Sequence, residues 1–176
     1  DIHMPRVSEK LDYEGEMGFI IGRRCRHVPR ERAHEVIAGF CVCNDVSVRD
    51  WQMKAQTFTL GKSFDTHSPF GPYLVTSDEI NAPHDLALKT WVNEELRQDS
   101  STKHLVFDCY DQIATLTAAF TLEPGDVILT GTPSGVGIGF KPHKYLNVGD
   151  VVKVEIEGLG HIENSVIAEP KSTTMI

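Results

Sequence analysis

The sequence has no apolar run approaching the ~20 residues that a bilayer-crossing helix needs, and no basic-then-apolar leader at its start. Together these absences lead us to expect a cytoplasmic chain with no membrane partner. A basic excess is missing as well. Lys and Arg number 17 against 25 Asp and Glu, a formal net charge of −8, which argues against nucleic acid as the main partner. The four cysteines (Cys25, Cys41, Cys43, Cys109) form no CxxC pair, so neither a zinc knuckle nor a thioredoxin-type site is indicated. Cys41 and Cys43 lie at strand spacing in an apolar run and read as small buried hydrophobes in a reducing compartment. The eight histidines show no H-x-H or HExxH spacing, which weakens a zinc enzyme. Residues 131–139 are rich in glycine but lack the GK[ST] ending of a phosphate loop and precede no clear helix. A flexible turn explains them better than nucleotide binding.

What is present fits one ordinary domain over residues 1–176. With 40% hydrophobic and 24% charged residues, a chain of this size buries roughly 70% of its unfolded surface. It starts at Asp1 rather than Met, which leaves open a natural chain that continues upstream. The pattern is strand-rich. Residues 17–21 read as an apolar strand ending at Gly22, and residues 11–16 extend it upstream with alternating character. Residues 31–37 suggest a short helix closed by Gly39. Residues 40–43 and 73–76 read as strands. Asp108 is placed to cap a helix whose apolar stripe is Ile113, Leu116, Thr117 and Phe120. Glu123-Pro124-Gly125-Asp126 turns into a strand over 127–130. Gly149-Asp150 opens another over 151–156, with Val152, Val154 and Ile156 on one face. The fold class expected is mainly β or mixed α+β, with short helices.

Chemistry concentrates in the acidic residues. Glu14 and Glu16 are two apart, so in a strand both side chains share a face, roughly 6.6 Å apart along it. Two long carboxylates at that separation can lean onto one cation; without one, each disfavours ionisation of the other. An E-x-E pair alone also describes an ordinary solvated strand face. The polar block Asn44-Asp45-Val46-Ser47-Val48-Arg49-Asp50-Trp51-Gln52 changes the balance, because it follows directly on a buried strand and needs partners there. Asp45 completes an all-oxygen donor set, which suits Mg²⁺, Mn²⁺ or Ca²⁺ rather than zinc.

Tyr13-Glu14-Gly15-Glu16, the 44–52 block, Gly61-Lys62-Ser63-Phe64-Asp65-Thr66 and Pro124-Gly125-Asp126-Val127-Ile128-Leu129-Thr130-Gly131-Thr132-Pro133 together resemble the fumarylacetoacetate hydrolase family, in family order. The resemblance continues through Trp91-Val92-Asn93 and Gly149-Asp150-Val151-Val152 to Glu157-Gly158-Leu159-Gly160, and so covers essentially the whole chain. It implies a mixed β-sheet roll with short helices, corresponding to the family's C-terminal catalytic domain, a Mg²⁺-like ion, a small 2-oxo acid substrate and a homodimer. Carried over by residue, the metal ligands are Glu14, Glu16 and Asp45. Arg49, Gln52 and Lys62 surround the 2-oxo-carboxylate end as catalytic and binding groups, and Thr132 hydrogen-bonds the substrate carboxylate. An ammonium beside the oxo group would stabilise charge developing on an enolate. Arg49 reads equally well as the ion-pair partner of Asp50 or another carboxylate.

The reaction implied is metal-dependent hydrolysis of a C–C bond in a fumarylacetoacetate- or acylpyruvate-like compound, as in aromatic catabolism. Alternatives on the same scaffold are decarboxylation or isomerisation of a 2-oxo acid, for instance oxaloacetate or a 2-hydroxyhepta-2,4-dienedioate-like compound. A non-catalytic binding module is the alternative of another class. Hydrolases of the family carry a His-Glu pair N-terminal to the E-x-E strand. Residues 1–10 supply none, since His3 stands alone and Glu31 with His34 lies elsewhere. His67 is the local acid-base candidate.

Overall fold

The computed structural model describes residues 1–174. In chain order the strands are β1 (Ile2–Met4), β2 (Leu11–Asp12), β3 (Gly15–Ile21), β4 (Ile37–Asn44), β5 (Ser47–Val48), β6 (Phe70–Thr76), β7 (Ala87–Val92), β8 (Glu95–Ser101), β9 (Val127–Leu129), β10 (Val151–Ile156) and β11 (Gly160–Ala168). Among the described residues two α-helices join them: α1, a single turn at Arg49–Gln52, and α2 at Cys109–Ala119. The strands form a five-stranded sheet in the order β1-β11-β10-β7-β8, a four-stranded sheet β6-β4-β3-β9, and the small pair β2-β5. Apart from the parallel β1–β11 pair, every pairing is antiparallel. A mainly β, α+β domain with short helices is therefore what the chain forms.

The two large sheets face each other across one apolar core. β10 alternates as anticipated, with Val152, Val154 and Ile156 fully inward and their neighbours half-buried. Met17 and Phe19 come from the opposing sheet, Leu88 and Val92 from β7. β4 is buried on almost its whole length, which accounts for its continuous apolar run Ile37 to Cys43. The four cysteines are free and buried. Asp108 caps α2: its carboxylate accepts from the backbone N–H of Tyr110 and Asp111, and Asp111 returns the bond.

Three local expectations need correction. Residues 11–16 do not extend β3 upstream; the strand breaks at Tyr13-Glu14, and β2 pairs instead with β5. Residues 30–36 form a 3₁₀ helix, and Gly39 does not close it. Gly39 lies inside β4 opposite Thr76, where a side chain would strike the Val75 carbonyl 2.2 Å away. Phe120, assigned to the inner face of α2, is half-exposed, whereas Ile113 and Thr117 are buried.

Candidate metal centre

The break between β2 and β3 builds the site. At Asp12 the chain leaves the small sheet, and at Gly15 it enters the large one. The two residues between are held by side chains where ladder bonds are missing. Glu14 N–H donates to Asn44 Oδ1 (3.0 Å), while Glu14 C=O accepts from Asp45 N–H (2.9 Å). The Glu14 backbone is thus fixed against the end of β4 that carries Asp45. Gly15 passes so close to β7 that a Cβ would lie 2.1 Å from Thr90 Oγ1, so the middle position of this E-x-E has no room for a side chain.

Glu14, Glu16 and Asp45 each present a carboxylate oxygen within 4.8 Å of the others. Lys62, on the 3₁₀ turn Phe58–Lys62, closes one side of the cluster. Its ammonium donates to Glu14 Oε2 (2.7 Å), Asp45 Oδ2 (2.6 Å) and Ser47 Oγ (3.0 Å), which uses all three of its N–H bonds. Arg49 closes another side, 4% exposed. Its Nε donates to Asp12 Oδ2 (2.8 Å), and its Nη1 donates to Glu14 Oε1 (2.6 Å) and Gln52 Oε1 (3.1 Å). The Arg49–Asp50 pair considered from sequence does not form; Asp50 accepts from the Ser8 hydroxyl instead (2.6 Å). Arg49 Nη2 is buried without a partner.

Burial and charge pull against each other here. Burial pushes the Glu16 carboxyl up to about 8, and the charges of Asp45 and Glu14 push the same way, against a backbone N–H from Gly131 (2.7 Å). Burial likewise raises Asp45, opposed by Lys62. For Lys62 burial alone would lower the ammonium, but its bonds to Asp45 and Glu14 prevail and hold it above its ordinary value. Asp12, Glu14, Glu16 and Asp45 are four carboxylates facing two cations, Arg49 and Lys62. With all four ionised, two negative charges are left uncompensated, equal to one divalent ion, and the three converging donors are all carboxylate oxygen. The residues present therefore fit a hard cation of the Mg²⁺, Mn²⁺ or Ca²⁺ type.

The seven residues expected to bind metal or substrate (Glu14, Glu16, Asp45, Arg49, Gln52, Lys62 and Thr132) lie in or beside this cluster. Thr132 stands at its edge, its hydroxyl donating to Gly15 C=O (3.0 Å). A cleft of about 250 Å³ borders Thr132, lined by Met17, Leu88, His104, Leu105 and Val106 among others. His67 does not join the cluster as an acid or base. It is buried, its Nε2 lies 2.8 Å from the His3 carbonyl, its ring stacks on Phe64, and burial lowers its pKa. Sequence reasoning missed Asp12, which accepts four N–H bonds from Tyr13, Gly137, Ile138 and Arg49 and so ties the 137–138 turn and α1 to its own segment. An Asp between the apolar Leu11 and Tyr13 was the available signal, because a carboxylate in such company has to be paired. Gln98, discussed below, was also missed.

Two packed, largely antiparallel sheets with a cluster of three carboxylates fit to hold a divalent cation between them set the class of the protein. A family model described as fumarylacetoacetate (FAA) hydrolase C-terminal matches residues 1–167. Among similar proteins, the mitochondrial oxaloacetate tautomerase fahd2 of Xenopus laevis is 46% identical over 168 residues, 94% of this chain and 53% of that protein. Oxaloacetate tautomerase YisK of Bacillus subtilis is 42% identical over 160 residues, again covering 53% of its length. A fumarylacetoacetate hydrolase from Exiguobacterium antarcticum superposes with a TM-score of 0.92 at 45% identity, over 96% of this chain and 61% of the other. Maleylpyruvate hydrolase of Sphingobium, solved with manganese(II) and pyruvate, gives 0.84 at 35% identity, over 96% and 59%. The chain belongs to the fumarylacetoacetate hydrolase family. It spans about half the length of the curated relatives it matches. No helix among the described residues is long and apolar enough to cross a membrane.

Proposed function

We propose that this chain carries the catalytic centre of a divalent-metal-dependent enzyme that interconverts the keto and enol forms of a small 2-oxo acid of the oxaloacetate type. The observation that carries the reading is the convergence of Glu14, Glu16 and Asp45 with the Lys62 ammonium bonded to two of them. A Mg²⁺ or Mn²⁺ ion held by the three carboxylates would supply a Lewis acid for the oxo and carboxylate oxygens of the substrate. In the interconversion the proton that leaves the carbon next to the oxo group passes to solvent water and one returns to the oxo oxygen; the protein's own groups hold the substrate and the charge between the two transfers. Lys62 places a fixed positive charge where negative charge grows on the oxo oxygen as an enolate forms. Gln52 engages Arg49 through its oxygen, which leaves its NH₂ group as a donor toward the substrate. Arg49 Nη2, buried and unpartnered, is a second such donor. Thr132 can turn its hydroxyl proton from the Gly15 carbonyl to a substrate carboxylate.

Relatives named oxaloacetate tautomerase in an animal and a bacterium support enolisation as the whole reaction. Hydrolysis of a C–C bond in an acylpyruvate-like substrate is the second reading, favoured by the likeness to maleylpyruvate hydrolase. It needs a base to activate water, and His67, turned to His3, is not placed to be that base. A cytoplasmic homodimer remains part of the proposal on family grounds.

The test is Lys62→Met assayed on oxaloacetate and on acylpyruvates. Loss of the Lys62 charge is expected to lower turnover ~10²–10³-fold, the usual scale for one such electrostatic group, with a smaller change in KM. Enol absorbance with no new product marks tautomerisation, pyruvate plus a carboxylic acid marks hydrolysis, and CO₂ marks decarboxylation. Full turnover by Lys62→Met on a substrate the wild type accepts would refute the enolate role.

A further inference from the structure

Gln98 lies on β8, in the sheet opposite the carboxylates, and is wholly buried. Its Oε1 accepts from Gly15 N–H (3.0 Å), and its Nε2 donates to Thr132 Oγ1 (2.8 Å) and to the Pro133 carbonyl (2.9 Å). The amide orientation follows from these partners. Gly15 offers only a donor and Pro133 only an acceptor, so oxygen must face the first and nitrogen the second. Gly15 is the residue between Glu14 and Glu16, and Thr132 is the group placed to meet a substrate carboxylate. One side chain from a remote strand therefore grips both halves of the site.

We infer that Gln98 is a positioning residue that fixes the spacing between the Glu14-Gly15-Glu16 segment and the Thr132 hydroxyl, and holds that hydroxyl with its proton free to turn toward an anionic substrate group. The inference rests on the reading of the site as a cation and 2-oxo acid centre. Because Gln98 donates to Thr132 Oγ1, the oxygen stays anchored while its own proton, now on Gly15 C=O, is available for exchange. The surroundings admit no slack that could replace this grip. Thr90, opposite Gln98 in the β7–β8 ladder, presses on Gly15. At Gly135, two residues beyond Pro133, a side chain would strike the Arg97 carbonyl at 2.0 Å, so the turn lies flush against β8. The Tyr13 hydroxyl ties the same turn by donating to Gly135 C=O (2.7 Å).

Gln98→Glu separates positioning from packing. The side chain keeps its size and still accepts from Gly15 N–H, but burial holds its carboxyl protonated with a single proton to donate; the Pro133 carbonyl, an acceptor only, takes that proton, and none is left for Thr132. The experiment is a cycle of Gln98→Glu, Thr132→Val and the double variant. It is read by KM and kcat on the 2-oxo acid the wild type turns over, by calorimetric Mg²⁺ affinity and by urea unfolding. In Gln98→Glu, KM should rise ~10-fold or more with a smaller fall in kcat, and the rise should vanish in the Thr132→Val background. Gln98→Met, which releases Gly15 as well, should weaken Mg²⁺ binding by ~10–100-fold, the usual consequence of losing a group that orients a metal ligand. Unchanged KM and Mg²⁺ affinity in both Gln98 variants overturn the inference. So does full additivity with Thr132→Val, and so does loss of the folded protein in both Gln98 variants, which would make Gln98 a general core anchor. A wild type that neither binds Mg²⁺ nor turns over any 2-oxo acid defeats the parent reading and this one with it, an outcome the wild-type control alone identifies.

Discussion

Among the carboxylates of the centre, Glu16 differs from Glu14 and Asp45 in having no side-chain cation against it. Its Oε2 takes one backbone N–H from Gly131, and burial pushes its pKa up to about 8 from the ordinary 4.5. Between those values the folded, metal-free protein keeps a proton that the unfolded chain has lost. Stability is then present at low pH and falls as pH rises from about 4.5 to about 8; Asp45, also raised, acts in the same direction. Urea midpoints of the metal-free protein should decline across that window, and Glu16→Gln should flatten the decline. A midpoint that climbs with pH would contradict it. Divalent cation requires the ionised form, so Mg²⁺ binding at pH 7 should release about one proton, seen as a calorimetric heat that depends on buffer ionisation. Asp45→Ala should abolish that heat while leaving the fold intact. Lys62 keeps Glu14 and Ser47 as partners after the change, and the Asp45 backbone stays bonded to Glu14.

At the scale of elements, the parts legible in the sequence were those with strong local periodicity or a cap. β10 showed strict alternation, β4 a solid apolar run, and α2 an Asp cap with its stripe. Asp108→Ala tests the last of these: losing the cap should cost about 0.5–2 kcal/mol, a fall in Tm of roughly 2–4 °C per kcal/mol for a chain of this size. A Tm unchanged in calorimetry would show the ion pair with Arg30 and the cap to be dispensable. β8 was invisible because Glu95–Ser101 is almost wholly polar; it forms because Gln98 and Thr102 find partners inside and β7 supplies the ladder. The break at Tyr13-Glu14 was hidden for the opposite reason. Residues 11–16 alternate well enough to read as a continuous strand, and only Asn44, an amide 30 residues away, marks where the ladder is handed to a side chain. The three carboxylates were legible by type and family likeness, whereas Asp12 and Gln98 act through long-range bonds that no local pattern announces.

For the molecule as a whole, the centre lies where β3 and β4 end against β7 and β8, so metal binding and sheet packing are coupled. The site's uncompensated carboxylate charge, itself part of the chain's formal net charge of −8, opposes the compact state. A divalent cation that binds the folded form alone stabilises it by about 2.7 kcal/mol at a hundredfold excess over its Kd. With roughly 2–4 °C gained per kcal/mol at this size, Mg²⁺ should raise Tm by about 5–11 °C, and chelation should reverse the rise. Screening of the −8 net charge is a competing cause, and two controls separate it. NaCl at matched ionic strength should give only a small part of the shift, because exposed charges are screened by either salt. Asp45→Ala should lose the Mg²⁺-specific part and keep the rest. If chelation leaves the wild-type Tm unmoved, or if Asp45→Ala responds to Mg²⁺ as the wild type does, the three carboxylates do not form a saturable site and the proposed chemistry loses its centre.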